Sequence, residues 1–276
     1  MAAGREPLEA HVLLTVEGGI AVITFNRPKR YNAWTLEMID AMKDALGRCA
    51  ADEGVRAVVI TGSGAYYCSG VDFGGSMRPM WPSDLKEMAA RNNQQLFEAF
   101  LDFPKPLVAA VNGPAIGASV TSATFCDAVV AAPSATFHTP FRALGIVPEG
   151  CSSVNFPRLL GAAGASVMLE EGRKVDAREA LAMGLVQEVA ERPEDLVPRA
   201  RALAAAWDGP RRCAAEPGLL EKLKKTNAEE SVALAESFLS WPFLENQYRF
   251  AASRGKKGPA AMFFVAKHVM PRLSKL

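Results

Sequence analysis

The sequence predicts an α/β protein built on a parallel sheet, with a helical region behind it. Three observations carry this. Short apolar, β-branched runs alternate with helix-period segments over residues 1–193. From about Glu194 to residue 276 the strand signal fades and helical spacing dominates. Between Lys105 and Arg142 the only Asp, Glu, Lys or Arg is Asp127, which marks the tightly packed centre of the molecule. Asn112, Pro114 and Pro133 interrupt that stretch, so it does not read as a membrane span.

HVLLTV, Gly18-Gly19 and IAVITF form two β-rich runs around a tight turn, the pattern of a hairpin. Asn26-Arg27-Pro28 breaks it. Thr35 can cap a helix with Glu37 near its positive end, and Ile39, Met42, Leu46 and Cys49 then share one face. VRAVVI (55–60) is a buried strand, followed by the loop TGSGAYYCSGVDF. Ser83 can cap a second long helix through Phe100, closed by Pro104-Lys105-Pro106. LVAAV (107–111) is a strand, Asn112-Gly113 a turn, IGASVTSATF a helix of small residues and DAVVAA the next strand. Ser152 or Ser153 opens another helix. Asp176 to Met183 is a short helix with Gly184 as its stop, and LVQEV is the last strand.

Composition narrows the function. The formal charge is +1, with 49% hydrophobic and 22% charged residues. A chain of this balance is folded, and it has no global attraction for phosphate backbones or anionic membranes, so an acidic ligand needs a local site. The five cysteines, Cys49, Cys68, Cys126, Cys151 and Cys213, are scattered with no C-x-x-C pair, which argues against a disulfide scaffold and a metal site and for a reducing compartment. MAAGREPLEA lacks an apolar signal core. Ser274-Lys275-Leu276 matches the tripeptide read by the peroxisomal import receptor.

Ligand sites in parallel sheets form in the loops after the strands. Two such loops stand out. In Cys68-Ser69-Gly70-Val71-Asp72, Gly70 permits a sharp turn and successive amides can face one anion. In Asn112 to Ser119 a turn runs into a helix start, where amides are unpaired. Together they could form a two-donor oxyanion hole, though the pattern alone favours two ordinary strand-to-helix turns. Neither is a phosphate-binding P-loop or a dinucleotide fingerprint. Acids and bases are few. Cys68 with His138 is a conceivable nucleophilic pair, against a packed cysteine and a satisfied core histidine. Glu149 lies between Pro148 and Gly150 in an apolar turn. Desolvation there would raise its pKa and suit a general base; the plain alternative is a solvated turn glutamate.

NRPKRYNA (26–33), YYCSGVDF (66–73), FPKPLVAAVNGPAIGASV (103–120), ATFHTPFRALGIVPEGCSS (135–153) and REALAMGLV (178–186) together resemble the crotonase superfamily of enoyl-CoA hydratases and isomerases. FHTPF followed by PEGCSS is most similar to the peroxisomal Δ3,Δ2-enoyl-CoA isomerases. The resemblance covers nearly the whole chain, but not the N-terminal acyl-CoA-binding domain that some of those isomerases carry. It implies a crotonase-type spiral of ββα units over residues 1–193 holding the acyl-CoA site, with a C-terminal helical trimerisation region over 194–276. It further implies Glu149 as a single catalytic base and the amides of Ser69 and Ala118 as the oxyanion hole. Tyr67, Cys68, Gly70, Asp72 and Gly117 would line the substrate. Lys29 and Arg30 would hold coenzyme A phosphates, a reading balanced by two solvated cations. Tyr248, Phe250, Phe263 and Phe264 would be buried against a neighbouring subunit or in the chain's own core. Thr121 and Phe141 stand where hydratases have their two glutamates, while Val71 and Ala118 depart from common members. No metal or redox cofactor is implied, since coenzyme A arrives with the substrate. Alternatives are a dienoyl-CoA isomerase, an acyl-CoA lyase, or a non-catalytic acyl-CoA binder.

Overall fold

The computed structural model describes residues 11–72 and 81–273. Residues 274–276, with the proposed import tripeptide, lie outside the described residues.

A six-stranded sheet is laid down first. Strands β1 (Val12–Glu17) and β2 (Ile20–Phe25) pair antiparallel across Gly18-Gly19, both at positive φ as a two-residue hairpin loop demands. Helix α1 (Leu36–Ala51), capped by the Thr35 hydroxyl, returns the chain to β3 (Ala57–Gly62), parallel to β2. Helix α2 (Pro82–Leu101) leads to β4 (Leu107–Val111). The short β5 (Ala115–Ile116) and α3 (Ala118–Ala123) precede β6 (Ala128–Ala131). Then come β7 (Thr136–His138), α4 (Phe141–Leu144), α5 (Ser152–Leu169), β8 (Val175–Asp176), α6 (Ala177–Ala182) and β9 (Glu188–Val189). The order across the large sheet is β1-β2-β3-β4-β6-β9, parallel beyond β2. Helices α7 (Leu196–Ala206), α8 (Leu219–Ser237), α9 (Trp241–Ser253) and α10 (Lys257–Leu273) complete the chain.

Alternation along each strand divides the core in two. Ala21, Ile23, Phe25, Val58, Ile60, Ala109 and Val111 face α1, α2 and α5. Ile20, Val22, Val59, Val108, Ala110 and Val130 face α7, through Leu196, Ala200 and Ala204. Burial on both faces explains why these strands read as continuous apolar runs. The five cysteines are buried and unpaired.

Three expectations change. A second, three-stranded sheet of order β5-β7-β8 was not anticipated. Helix α2 starts at Pro82, whose missing N–H costs nothing in a first turn, so Ser83 is inside the helix and not its cap. LVQEV contributes only Glu188 and Val189 to the sheet. In the C-terminal region Phe263 is buried with Phe243, Leu244 and Ala251, whereas Phe250 and Phe264 are exposed. No helix among the described residues is long and apolar enough to cross a membrane.

Candidate active site

The two loops meet edge to edge. Cys68 N–H donates to the Pro114 carbonyl and the Ile116 amide donates back to the Cys68 carbonyl, which bridges Cys68 to Ala115. Gly70 is required at this junction. Its φ is +86°, and a Cβ there would lie 2.8 Å from the Ile116 carbonyl oxygen. On the other side, Trp34 N–H donates to the Gly70 carbonyl and Asp72 N–H to the Trp34 carbonyl.

These bonds decide which amides are free. Cys68 and Asp72 are committed as above, and Gly70 N–H donates to the Cys68 thiol sulfur at 3.3 Å. Ser69 N–H donates to the Tyr31 carbonyl at 3.0 Å. The one backbone proton of Ser69, the expected oxyanion donor, is thus engaged by Tyr31, on the turn that follows Pro28–Arg30. Val71, facing away from Trp34 in the parallel bridge, is the one amide from 68 to 72 with no partner among the described residues. In the second loop, Gly117 N–H donates to the His138 carbonyl at 2.8 Å, while Val120 and Thr121 donate to the Gly117 carbonyl. Ala118 N–H, at the first position of α3, has no such partner. Gly117 holds φ +60° and ψ −125°, a conformation essentially closed to other residues.

Glu149 is 4% exposed. The Thr121 hydroxyl lies 3.3 Å from Glu149 Oε1 and 3.1 Å from the Ala118 carbonyl. One side chain therefore links the carboxyl to a backbone carbonyl in the first turn of α3. Burial, with the nearby Glu230 carboxyl adding to it, pushes Glu149 from its ordinary 4.5 to about 8; the Thr121 bond pulls the other way. A carboxyl held there can take and return a proton near neutral pH. The solvated-turn alternative is thereby removed.

Other expected residues separate into backbone and side-chain roles. Tyr67 is 1% exposed and packs edge-on against Phe25, so its ring lies in the core. The Cys68 thiol is buried and pushed up to about 12, and the His138 ring donates from Nε2 to the Gly172 carbonyl, so they make no nucleophilic pair. Asp72 is half-buried in the loop. Lys29 and Arg30 sit exposed on a short 3₁₀ turn with no ion-pair partner among the described residues. Phe141 is buried and apolar, and is the nearest heavy-atom neighbour a Cβ on Gly117 would meet.

The sequence reading passed over Glu230. It is 8% exposed on α8, yet TNAEES reads locally as a solvated helix face. The signal was present in the spacing: Leu219, Leu223, Asn227, Glu230 and Leu234 form one buried stripe.

Comparison with known proteins gives a consistent picture. A family model described as Enoyl-CoA hydratase/isomerase matches residues 15–237. Enoyl-CoA delta isomerase 2 of Rattus norvegicus is 46% identical over 191 residues, covering 68% of this chain and 48% of that protein. Enoyl-CoA delta isomerase 3, peroxisomal, of Mus musculus is 45% identical over 181 residues, covering 64% and 56%. The chain thus spans about half the length of the curated relatives it matches. Among solved structures, an enoyl-CoA hydratase/isomerase from Pseudoalteromonas atlantica T6c superposes with a TM-score of 0.75 at 31% identity, covering 88% of this chain and 97% of that one.

Proposed function

Since the chain belongs to the enoyl-CoA hydratase/isomerase family, we propose that it is an isomerase converting 3-enoyl-CoA to trans-2-enoyl-CoA. The observation that carries the reading is a buried carboxyl, Glu149, whose Thr121 partner also bonds the carbonyl of Ala118, the residue with the free amide at the start of α3. Glu149 removes a proton from C2, which lies between the thioester and the double bond. The electrons of the broken C2–H bond form a new π bond to C1, and negative charge develops on the thioester oxygen. The Ala118 and Val71 amides bind that oxygen; such a donor is typically worth about 2.7–4 kcal/mol in the transition state. The charge then flows back: the thioester C=O re-forms, C2=C3 forms as the C3=C4 π bond breaks, and that pair takes the proton from protonated Glu149 at C4. One carboxyl serves both steps, and the scheme calls on no group beyond the coenzyme A carried by the substrate. Thr121 and Phe141 cannot act as general acid or base at neutral pH, so hydration of 2-enoyl-CoA should be slow beside isomerisation.

Lys29 and Arg30 are proposed to meet the coenzyme A phosphates; their exposure and free charge support this. The exposed Phe250, Phe264 and Trp241 support a homotrimer, or a dimer of trimers, built through the C-terminal helices, read by light scattering. A role in the oxidation of unsaturated fatty acids in the peroxisome, or in a glycosome, is supported by the name of the mouse relative and by Ser274-Lys275-Leu276. Deleting the tripeptide should leave a fluorescent fusion cytosolic. The decisive test is incubation with 3-enoyl-CoA of several chain lengths, watching the absorbance of the conjugated thioester. Silence at every length, with acyl-CoA still bound, would make the protein a binder.

A further inference from the structure

Helix α5 begins without a cap of its own. Its N-cap residue is Cys151, in the left-handed region at φ +58°, and no local side chain accepts from its first amides. Of those amides, Ser153 N–H is served from elsewhere in the chain. Glu230 Oε1, on α8, accepts from Ser153 N–H at 3.0 Å, and the Ser153 hydroxyl and the backbone of Cys151 and Ser152 face the same carboxylate. The Cys151 thiol completes the docking by donating to the Leu223 carbonyl of α8 at 3.0 Å. Two polar atoms in this junction remain buried with no partner among the described residues: Glu230 Oε2 and Ser152 Oγ.

The clamped turn is the one that carries Glu149. Ser152 N–H donates to the Glu149 carbonyl, and two residues, Gly150 and Cys151, separate the base from the helix start that Glu230 grips. Other charged groups do not intervene. The titratable side chain on the turn besides Glu149 is Cys151, whose thiol burial pushes far up and keeps neutral. Helix α2, packed along α8, presents Phe97 under Gly150, and Asn93 and Gln94 to Ser231 and Asn227. The charges of α8 and α2 near this contact pair outward, as Lys86 with Glu236, Lys224 with Asp102 and Lys225 with Glu229. On α5, Arg158 turns to Asn155 and Glu216.

We propose that Glu230 is the positioning residue of this site: its carboxylate caps α5 from α8, fixes the turn that bears Glu149, and sets a second negative charge beside it. The proposal rests on Glu149 being the base. Glu230 touches no substrate; it decides where the base stands and how readily it gives up its proton. A buried acceptor with a free oxygen is costly to keep. Here the cost maintains a two-carboxylate pair in which like charges hold the Glu149 proton on.

Two variants separate the clamp from the charge. Glu230→Gln keeps an acceptor for Ser153 N–H but removes the charge, so the acid limb of kcat/KM should move to lower pH. Glu230→Asp keeps the charge but withdraws it from Ser153, so the limb should stay and kcat should fall by roughly 10–100-fold, the loss expected for a displaced catalytic group. A role confined to folding would move neither limb. The same titration is read without substrate from the infrared C=O band of the protonated carboxyl, assigned by its loss in Glu149→Gln. A limb and band unmoved in Glu230→Gln overturn the proposal. A full kcat in Glu230→Asp does the same, and serves as the test if the glutamine variant fails to fold. A band that moves in a protein without isomerase activity leaves the positioning role standing and removes the proposed reaction.

Discussion

Glu149 carries its unusual proton affinity chiefly because water cannot reach it, and only secondarily because Glu230 is near. Replacement by glutamine keeps the shape and the Thr121 contact but ends proton transfer. Glu149→Gln should lose 10²–10⁴-fold in kcat, toward the upper end because one group serves two steps, with acyl-CoA Kd little changed. The wild-type acid limb of kcat/KM should fall near pH 8, where Glu149 becomes ionised. The same displacement has a thermodynamic face. A carboxyl whose folded pKa is raised favours the native state most when neutral, below its unfolded value of 4.5, and that advantage drains away as pH rises to about 8. Above pH 8 the folded protein therefore holds a buried charge that the unfolded chain would hydrate. Glu149→Gln should be the more stable protein there, by on the order of a few kcal/mol, and the gap should close toward pH 5; melts of both proteins across pH measure it. Glu149 could be singled out in the sequence because Pro148 and Gly150 isolate it in an apolar run. Glu230 could not be by eye, since its neighbours Glu229 and Lys225 point to solvent and mask the buried stripe. The free amide at Val71, and the used one at Ser69, follow from bonds to Tyr31 and Trp34, partners far back in the chain that no local pattern reveals.

At the level of elements, the turn between α4 and α5 is tightly constrained. Gly150 has φ +64°, and a Cβ there would meet Thr121 Oγ1 at 2.5 Å and the Phe97 ring at 2.8 Å. Gly150→Ala therefore adds a backbone penalty to a clash that α2 and α3 cannot both relieve. It should cost roughly 1–3 kcal/mol in denaturant unfolding and lower kcat through displacement of Glu149. Strands of five or six residues, such as β2, β3 and β4, were legible because each carries a full apolar run between turn signals. The second sheet was not, because β5 and β8 are two residues long and two residues have no period. The start of α2 was misplaced for a related reason. A serine near a helix start reads as a cap, and Pro82 one residue earlier takes the position by fixing φ.

The molecule is tied from its middle to its C-terminal half by one buried ion pair. Asp127 is 3% exposed; Arg211 Nε lies 2.7 Å from its Oδ2, which also accepts from Leu107 N–H at 2.7 Å, while Oδ1 accepts from Arg212 N–H at 2.6 Å. Arg211 further donates to the carbonyls of Phe100, Phe103 and Phe125. Breaking such a pair strands the remaining charge. Asp127→Ala should cost about 3–5 kcal/mol, measured by denaturant unfolding, and should loosen the connection from α7 to α8 before the sheet itself.

The five thiols give the protein an internal clock. Cys49 lies on α1, Cys68 and Cys126 both in the main core near Tyr67, Cys151 in the turn before α5 and Cys213 beside the buried arginine, and each is shut from solvent. A thiol reagent can reach any of them only when the surrounding piece opens. Under native conditions the labelling rate at each site counts openings of that piece, and peptide mapping ranks them along the chain. Cys151 should mark fluctuations at the base itself, and Cys68 those of the whole core. The slowest and fastest of the five then bracket the timescales on which this fold breathes, read from natural residues without a single introduced probe.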